Sequence, residues 1–226
     1  MQSFDTILFD LDGTLTDPKV GITKSVQHAL GRMGITEMDW AKLEQFIGPP
    51  LQQSFADVYG MSEEEAWEAV GYYREYFQAV GLFENEVYEG MVPLLVTLQA
   101  QGKSLYIATS KPTVFAERIV QHFQMDTFFN GIYGSELDGT RSDKGGLIGH
   151  IVRERQLEPA RVVMVGDRMH DIIGARKNGI ASIGVGYGYG SDAELREASP
   201  TCFCRTVGEL SGVLATSPDR PSGETA

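Results

Sequence analysis

Two textures of the sequence predict an α/β fold: a parallel sheet flanked by helices, with a separate all-helical unit inserted near its start. Runs that are apolar at nearly every position alternate with helical segments through the later part of the chain. About 70 residues near the beginning have helical periodicity and no such run.

The apolar runs cover residues 6–10, 105–109, 132–134, 162–166 and 182–185, and several end in a small or acidic residue. Apolarity at consecutive positions, rather than every second one, is what a strand covered on both faces requires. The helical segments between them follow in order. Residues 90–100 stop at Gly102, residues 112–124 open on Pro112, and 145–156 and 169–178 follow, the last closed by Gly179.

The stretch 16–88 has helices and no strand. Ile22, Val26, Ala29, Leu30 and Met33 share one helical face, as do Ala66, Val70, Tyr73, Phe77 and Val80. Ser62 and Glu65 form a capping box, and Pro49-Pro50 forces a loop between the two faces. Such an insert is too long for a crossover and is expected to be a lid with hinge strips near 14–19 and 83–89. Its aromatic stripe, Trp67, Tyr73, Tyr76 and Phe77, reads as lid core. The domain boundaries expected are therefore 1–15 with 89–215 for the α/β core and 16–88 for the cap. Residues 216–226 carry too little apolar content to fold and are expected to be disordered.

Composition narrows the function. The 226 residues carry 19 Lys+Arg against 31 Asp+Glu, a net charge of −12, the opposite of a nucleic-acid footprint. No apolar run reaches the roughly 18–20 residues that span a bilayer, so no membrane partner is expected. The first residues have no basic region and their apolar run is cut by Asp10 and Asp12, so no signal peptide is expected. Cys202 and Cys204 are too close to make a disulfide framework, and as a C-x-C metal pair they lack nearby further ligands. A reduced, cytoplasmic protein follows, monomeric or a weak homodimer.

The chemistry lies at strand ends. The first strand runs into Asp10-Leu11-Asp12-Gly13-Thr14, and in an open parallel sheet the ligand crevice lies outside the carboxyl ends of the strands. The fourth run ends on Gly166 and Asp167, with Asp171 one helical turn later. Four carboxylates converging on one pocket repel one another unless protons or a cation neutralise them. Oxygen ligands without cysteine or paired histidine suit a hard ion such as Mg²⁺. Aspartates, a metal and a glycine-containing loop point to phosphate chemistry, with a carboxylate able to attack phosphorus. Thr109 and Ser110 can hold phosphate oxygens at the end of the second core strand, or can simply cap the helix after Pro112. Lys144 or Lys111 can supply the positive charge.

These residues resemble, in order and spacing, the four motifs of the haloacid dehalogenase superfamily. Those motifs are Asp10-Leu11-Asp12-Gly13-Thr14, Thr109, Lys144 and Gly166-Asp167-x-x-x-Asp171. The opening Phe9-Asp10-Leu11-Asp12-Gly13-Thr14-Leu15-x-Asp17 and the Ile47-Gly48-Pro49-Pro50-Leu51 loop are most similar to its phosphoglycolate phosphatase-like branch. The resemblance implies a Rossmann-like core with an inserted cap, and Mg²⁺-dependent hydrolysis through an aspartyl-phosphate. Within it Asp10 is implied as nucleophile and metal ligand, and Asp12 as general acid/base that also ligates metal through its carbonyl. Asp167 and Asp171 are implied as metal ligands, and Gly13, Thr109, Ser110 and Lys144 as the phosphate site. Aspartate at position 12 favours transfer to water or a sugar over ATPase chemistry. The chain departs from the family pattern at Ser110, where Asn is common, and at Gly145, where Pro is common. The related activities left open are a phosphomutase, a phosphonate-cleaving hydrolase and a non-catalytic relative.

A lid that closes over such a site touches whatever the phosphate is attached to. Residues 16–88 hold 12 Asp and Glu against five Lys and Arg, which suits a small phosphorylated metabolite: phosphoglycolate, a nucleoside monophosphate or a sugar phosphate. The cap residues expected to contact it are Thr16, Lys24, Gly48 and Pro49. His170 is expected to point away from Asp167 and Asp171. The glycine alternation from Gly184 to Gly190 does not fit a dinucleotide loop and reads as a turn bordering the active-site mouth.

Overall fold

The computed structural model describes residues 4–215; the expectation for the tail lies outside them. In chain order the elements are β1 (Thr6–Phe9), β2 (Thr16–Asp17), α1 (Lys19–Arg32), α2 (Trp40–Glu44), α3 (Leu51–Tyr59) and α4 (Glu63–Tyr76). A π-helical turn, Phe77–Gly81, extends α4, and β3 (Glu86–Val87) follows. Then come α5 (Met91–Ala100), β4 (Ser104–Pro112), α6 (Thr113–His122), β5 (Gly131–Ser135), α7 (Lys144–Glu154) and β6 (Val162–Gly166). The described chain ends with α8 (Met169–Lys177), β7 (Ala181–Val185), α9 (Asp192–Ala198), β8 (Cys202–Cys204) and α10 (Val207–Leu214).

The main sheet has the order β5-β4-β1-β6-β7-β8 with every pair parallel. Alternate residues of its strands enter different cores. Ile7, Phe9, Ile107 and Val165 join the larger cluster, while Leu8, Tyr106 and Met164 pack with Leu147 and Ile148 of α7. All four residues of β1 are buried. The chain moves outward from β1 in one direction, then returns to its other side at β6, so the crevice of the sheet opens at their shared carboxyl ends. Phe9 is level with both Ile107 and Val165, which brings the ends of the three central strands together.

The insert is not free of strands. The two expected hinge strips pair as antiparallel β2 and β3, with Thr16 opposite Val87. Two-residue strands are too short for periodicity to reveal. The C-x-C segment adds a sixth strand, its Phe203 level with Gly184 of β7. On α1 the expected face is buried except at half-buried Met33, and on α4 Ala66, Val70, Tyr73 and Phe77 are buried. Val80 departs from this and is 44% exposed, because the π turn after Tyr76 shifts the helical phase. No helix among the described residues is long and apolar enough to cross a membrane.

Candidate active site

Asp10 follows β1 directly, and its backbone N–H donates to the Val165 carbonyl of β6 at 2.9 Å. Its buried carboxylate accepts from Leu11 N at 2.7 Å and faces Lys144 Nζ at 3.0 Å. The chain then turns at Gly13, whose φ of 80° lies in the left-handed region and whose N–H donates to Thr16 O at 2.8 Å. A Cβ at Gly13 would sit 2.2 Å from Asp167 Oδ2, so the turn needs glycine for closeness as well as conformation.

Asp167 leaves β6, and Asp171 lies in the first turn of α8, where its Oδ2 accepts from Arg168 N at 3.1 Å. Asp10, Asp167 and Asp171 each offer a carboxylate oxygen within 4.8 Å of the others. Lys144, the first residue of α7, is 4% exposed. Its Nζ meets Asp10 Oδ1 at 3.0 Å, Asp171 Oδ1 at 2.8 Å and the Ala108 carbonyl at 2.9 Å.

Burial dominates the electrostatics. It raises the Asp12 carboxyl against the pull of Lys111, and pushes Asp167 well above the usual carboxylate range with help from Asp10 and Asp171. Asp171 is pushed up to about 6, with Lys144 opposing the shift. Burial acts to lower Lys144, but Asp10 and Asp171 outweigh it and hold the ammonium above its ordinary value. Three carboxylates gathered within 4.8 Å, only two of them paired with the one ammonium, form a cage of oxygen donors that fits a hard divalent cation. The Asp12 carboxylate stands outside this group. Its Oδ2 pairs with Lys111 at 2.8 Å and its Oδ1 is buried without a hydrogen-bond partner among the described residues.

Thr109 is buried at the same strand ends, with Oγ1 accepting from Lys111 N at 3.2 Å. Ser110 Oγ donates to the Ser142 carbonyl at 3.2 Å and lines the adjacent cleft. Lys111 is not a surface residue. Strand β4 runs on to Pro112, carrying the side chain inward to Asp12, where its Nζ lies 4.6 Å from the Phe77 ring centre. Both lysines thus reach the site, Lys144 at Asp10 and Lys111 at Asp12.

The four residues of the insert expected to meet substrate divide. Gly48 and Pro49 line a cleft that also includes Asp12 and Lys111, with about 630 Å³ of space counting its open mouth. Thr16 and Lys24 do not line it. Thr16 is fully buried in β2, and Lys24 pairs with Glu84 at 2.5 Å. The aromatic stripe is more than core packing: Trp67, Tyr73 and Phe77 wall the cleft, whereas Tyr76 donates to Glu84 at 3.1 Å.

One group escaped the sequence reading. Tyr189 N donates to Asp167 Oδ2 at 2.8 Å, and Tyr187 Oη donates to the Thr14 carbonyl at 3.1 Å. The glycine alternation was the visible signal, but it did not reveal that the loop folds onto the aspartate itself. A Cβ at Gly188 would lie 2.3 Å from Gly13 O and 2.4 Å from Asp167 Cβ. Gly188→Ala therefore displaces Asp167, and titration calorimetry is expected to show divalent-ion affinity falling about tenfold or more in a protein that still folds.

A family model described as Haloacid dehalogenase-like hydrolase matches residues 7–185. A Pseudomonas aeruginosa protein named 5′-nucleotidase is 56% identical over 93% of this chain and 96% of its own length. A Mycobacterium tuberculosis protein named tyrosine-protein kinase PtkA is 37% identical over 94% of this chain and 73% of its own. The crystal structure of a predicted phosphatase from Clostridium acetobutylicum superposes with a TM-score of 0.91 at 45% identity, covering 94% of this chain and 98% of that one. Since the similarity spans the sheet, the insert and the strand-end aspartates together, the chain belongs to the haloacid dehalogenase-like hydrolases.

Proposed function

We propose that the substrate is a small phosphate monoester, foremost a 5′-nucleoside monophosphate, and that the reaction is Mg²⁺-dependent and passes through an aspartyl-phosphate on Asp10. Asp10, Asp167, Asp171 and the Asp12 carbonyl would hold the ion, which when bound neutralises phosphate oxygens and supports in-line attack. Asp10 attacks phosphorus as the bond to the ester oxygen breaks, and Asp12 gives that oxygen its proton. Asp12 then takes a proton from the water that attacks phosphorus, which releases phosphate and restores Asp10. Lys144 holds the nucleophile by its ion pair, while Thr109, Ser110 and the backbone at Gly13 receive the phosphate oxygens.

Residues 1–15 and 89–215 serve as the core in this reading, and 16–88 as a cap that moves on the paired hinge strips β2 and β3. The observation that carries the substrate assignment is the cleft beside Asp12, whose aromatic wall of Trp67, Tyr73 and Phe77 suits a flat base. The name of the 56% identical relative supports it as well. The free thiols of Cys202 and Cys204 suit a reducing, cytoplasmic setting.

The test is a panel of nucleoside monophosphates, phosphoglycolate and sugar phosphates, assayed for free phosphate and for isomerised product with Mg²⁺ and with EDTA. The expected result is kcat/KM for at least one nucleotide about tenfold or more above the other classes, with free phosphate as product and loss of activity in EDTA. Higher kcat/KM for phosphoglycolate or a sugar phosphate, or an isomerised sugar phosphate, contradicts the assignment.

A further inference from the structure

Both aspartates that follow β6 are held by the backbone N–H of a residue whose own side chain ends on the insert. Asp167 Oδ2 accepts from Tyr189 N at 2.8 Å, and the Tyr189 hydroxyl donates to Asp17 Oδ1 in β2. The same Asp17 oxygen accepts from Lys19 N at 3.0 Å, at the start of α1. Asp171 Oδ2 accepts from Arg168 N at 3.1 Å, and Arg168 Nη1 donates to the Ile47 carbonyl at 2.6 Å. The Arg168 stem packs on Gly48, and its Nε donates at 2.9 Å to Glu194 Oε1, which also accepts from Met169 N at 2.9 Å. Neither Arg168 nor Tyr189 lines the cleft.

Two separate grips therefore run from the insert to two separate carboxylates. One starts at the hinge and the other at the loop before α3. We infer that Arg168 and Tyr189 are positioning residues that couple closure of the cap to the geometry of the metal site. With both grips made, the two N–H groups fix the carboxylate oxygens; with the cap away, the loops that carry those N–H groups lose their outer anchor. Coupling of this kind is reciprocal, so a cation bound between the aspartates draws the cap closed before any substrate arrives. The inference rests on the cap and the Mg²⁺ site proposed above, but not on which ester is cleaved.

The chain has two tryptophans, Trp40 and Trp67. Trp40 is half exposed, whereas the Trp67 indole lies against Gly139 of the core, 3.3 Å from where a Cβ would stand. In a Trp40→Phe protein, Trp67 emission then reports whether the cap rests on the core. The metal-free protein is titrated with Mg²⁺ alone, followed by calorimetry and by Trp67 emission. The expected result is an emission change that saturates with the binding isotherm. Arg168→Ala and Tyr189→Phe, each made in that background, are expected to weaken Mg²⁺ binding about tenfold and to flatten the emission change, with Arg168→Lys retaining part of both. Tyr189→Phe removes one oxygen and leaves the backbone N–H in place, so it keeps the test open if Arg168→Ala does not fold. Unchanged Mg²⁺ affinity in both variants overturns the coupling, as does weakened affinity with the emission change undiminished. A parent that binds no Mg²⁺ overturns the metal site and the coupling together. A parent that responds to Mg²⁺ but hydrolyses no nucleotide overturns only the substrate assignment.

Discussion

Asp10→Asn is expected to lower phosphate-ester turnover by about 10⁴-fold or more, measured as steady-state kcat with Mg²⁺ at saturating substrate. The amide has no anionic oxygen to attack phosphorus, and nothing beside it can substitute. Asp12 is turned to Lys111, and Asp167 is fixed by Tyr189 N and Thr14 Oγ1. The fold does not suffer. Asp10 is one of three crowded carboxylates, so neutralising it relieves repulsion with Asp167 and Asp171, while Lys144 keeps Asp171 and the Ala108 carbonyl. The thermal midpoint of the metal-free variant is expected at or above that of the parent. A large loss of stability would mean that the activity loss came from misfolding, and turnover within tenfold of the parent would remove Asp10 from the mechanism.

Lys144→Met strikes both activity and stability. Its ammonium is buried between Asp10 and Asp171 and also holds the middle of β4 through Ala108 O. Removing one partner of a buried ion pair leaves the others uncompensated, at a cost of about 3 kcal/mol or more. In EDTA, denaturant unfolding near pH 8 is expected to show that loss, and kcat with Mg²⁺ is expected to fall at least about 10³-fold. The loss depends on pH with a definite sign. Asp171 already stands at about 6 in the parent, above its unfolded value, and rises further without Lys144. A carboxyl raised by folding contributes stability that is complete below its unfolded pKa, about 4, and is lost as pH rises through the folded one. The gap between variant and parent therefore widens from about pH 5 to pH 8. A gap that narrows over that range contradicts the arrangement.

The sheet was legible because buried parallel strands are apolar at every position, as in 6–10 and 162–166, and their acidic ends mark the crevice. Asp10, Asp12 and Asp167 could be placed on those ends without knowing any contact, and Lys144 through the motif order alone. Less could be read where geometry depends on distant residues. Lys111 reaches Asp12 only because β4 continues past Thr109, which a serine, a lysine and a proline gave no reason to expect. Lys24 is bound by Glu84, 60 positions away. The roles of Tyr189 and Gly188 follow from a loop after β7 folding back onto Asp167, a tertiary fact with no local pattern. Phe77 and Trp67 obey helical spacing, which predicts burial and is silent on whether a buried aromatic faces a core or a cleft.

The central claim is that Asp10 carries the phosphoryl group. A single-turnover reaction of the parent protein, in which Asp12 is present to protonate the leaving oxygen, is stopped in acid at successive times from milliseconds onward and reduced with borohydride. An aspartyl-phosphate is thereby converted to homoserine, and the peptide containing position 10 is read by mass spectrometry. The predicted result is homoserine at position 10 alone, requiring both nucleotide and Mg²⁺. Phosphate release with position 10 unmodified at every time, or modification at a different carboxylate, contradicts the account.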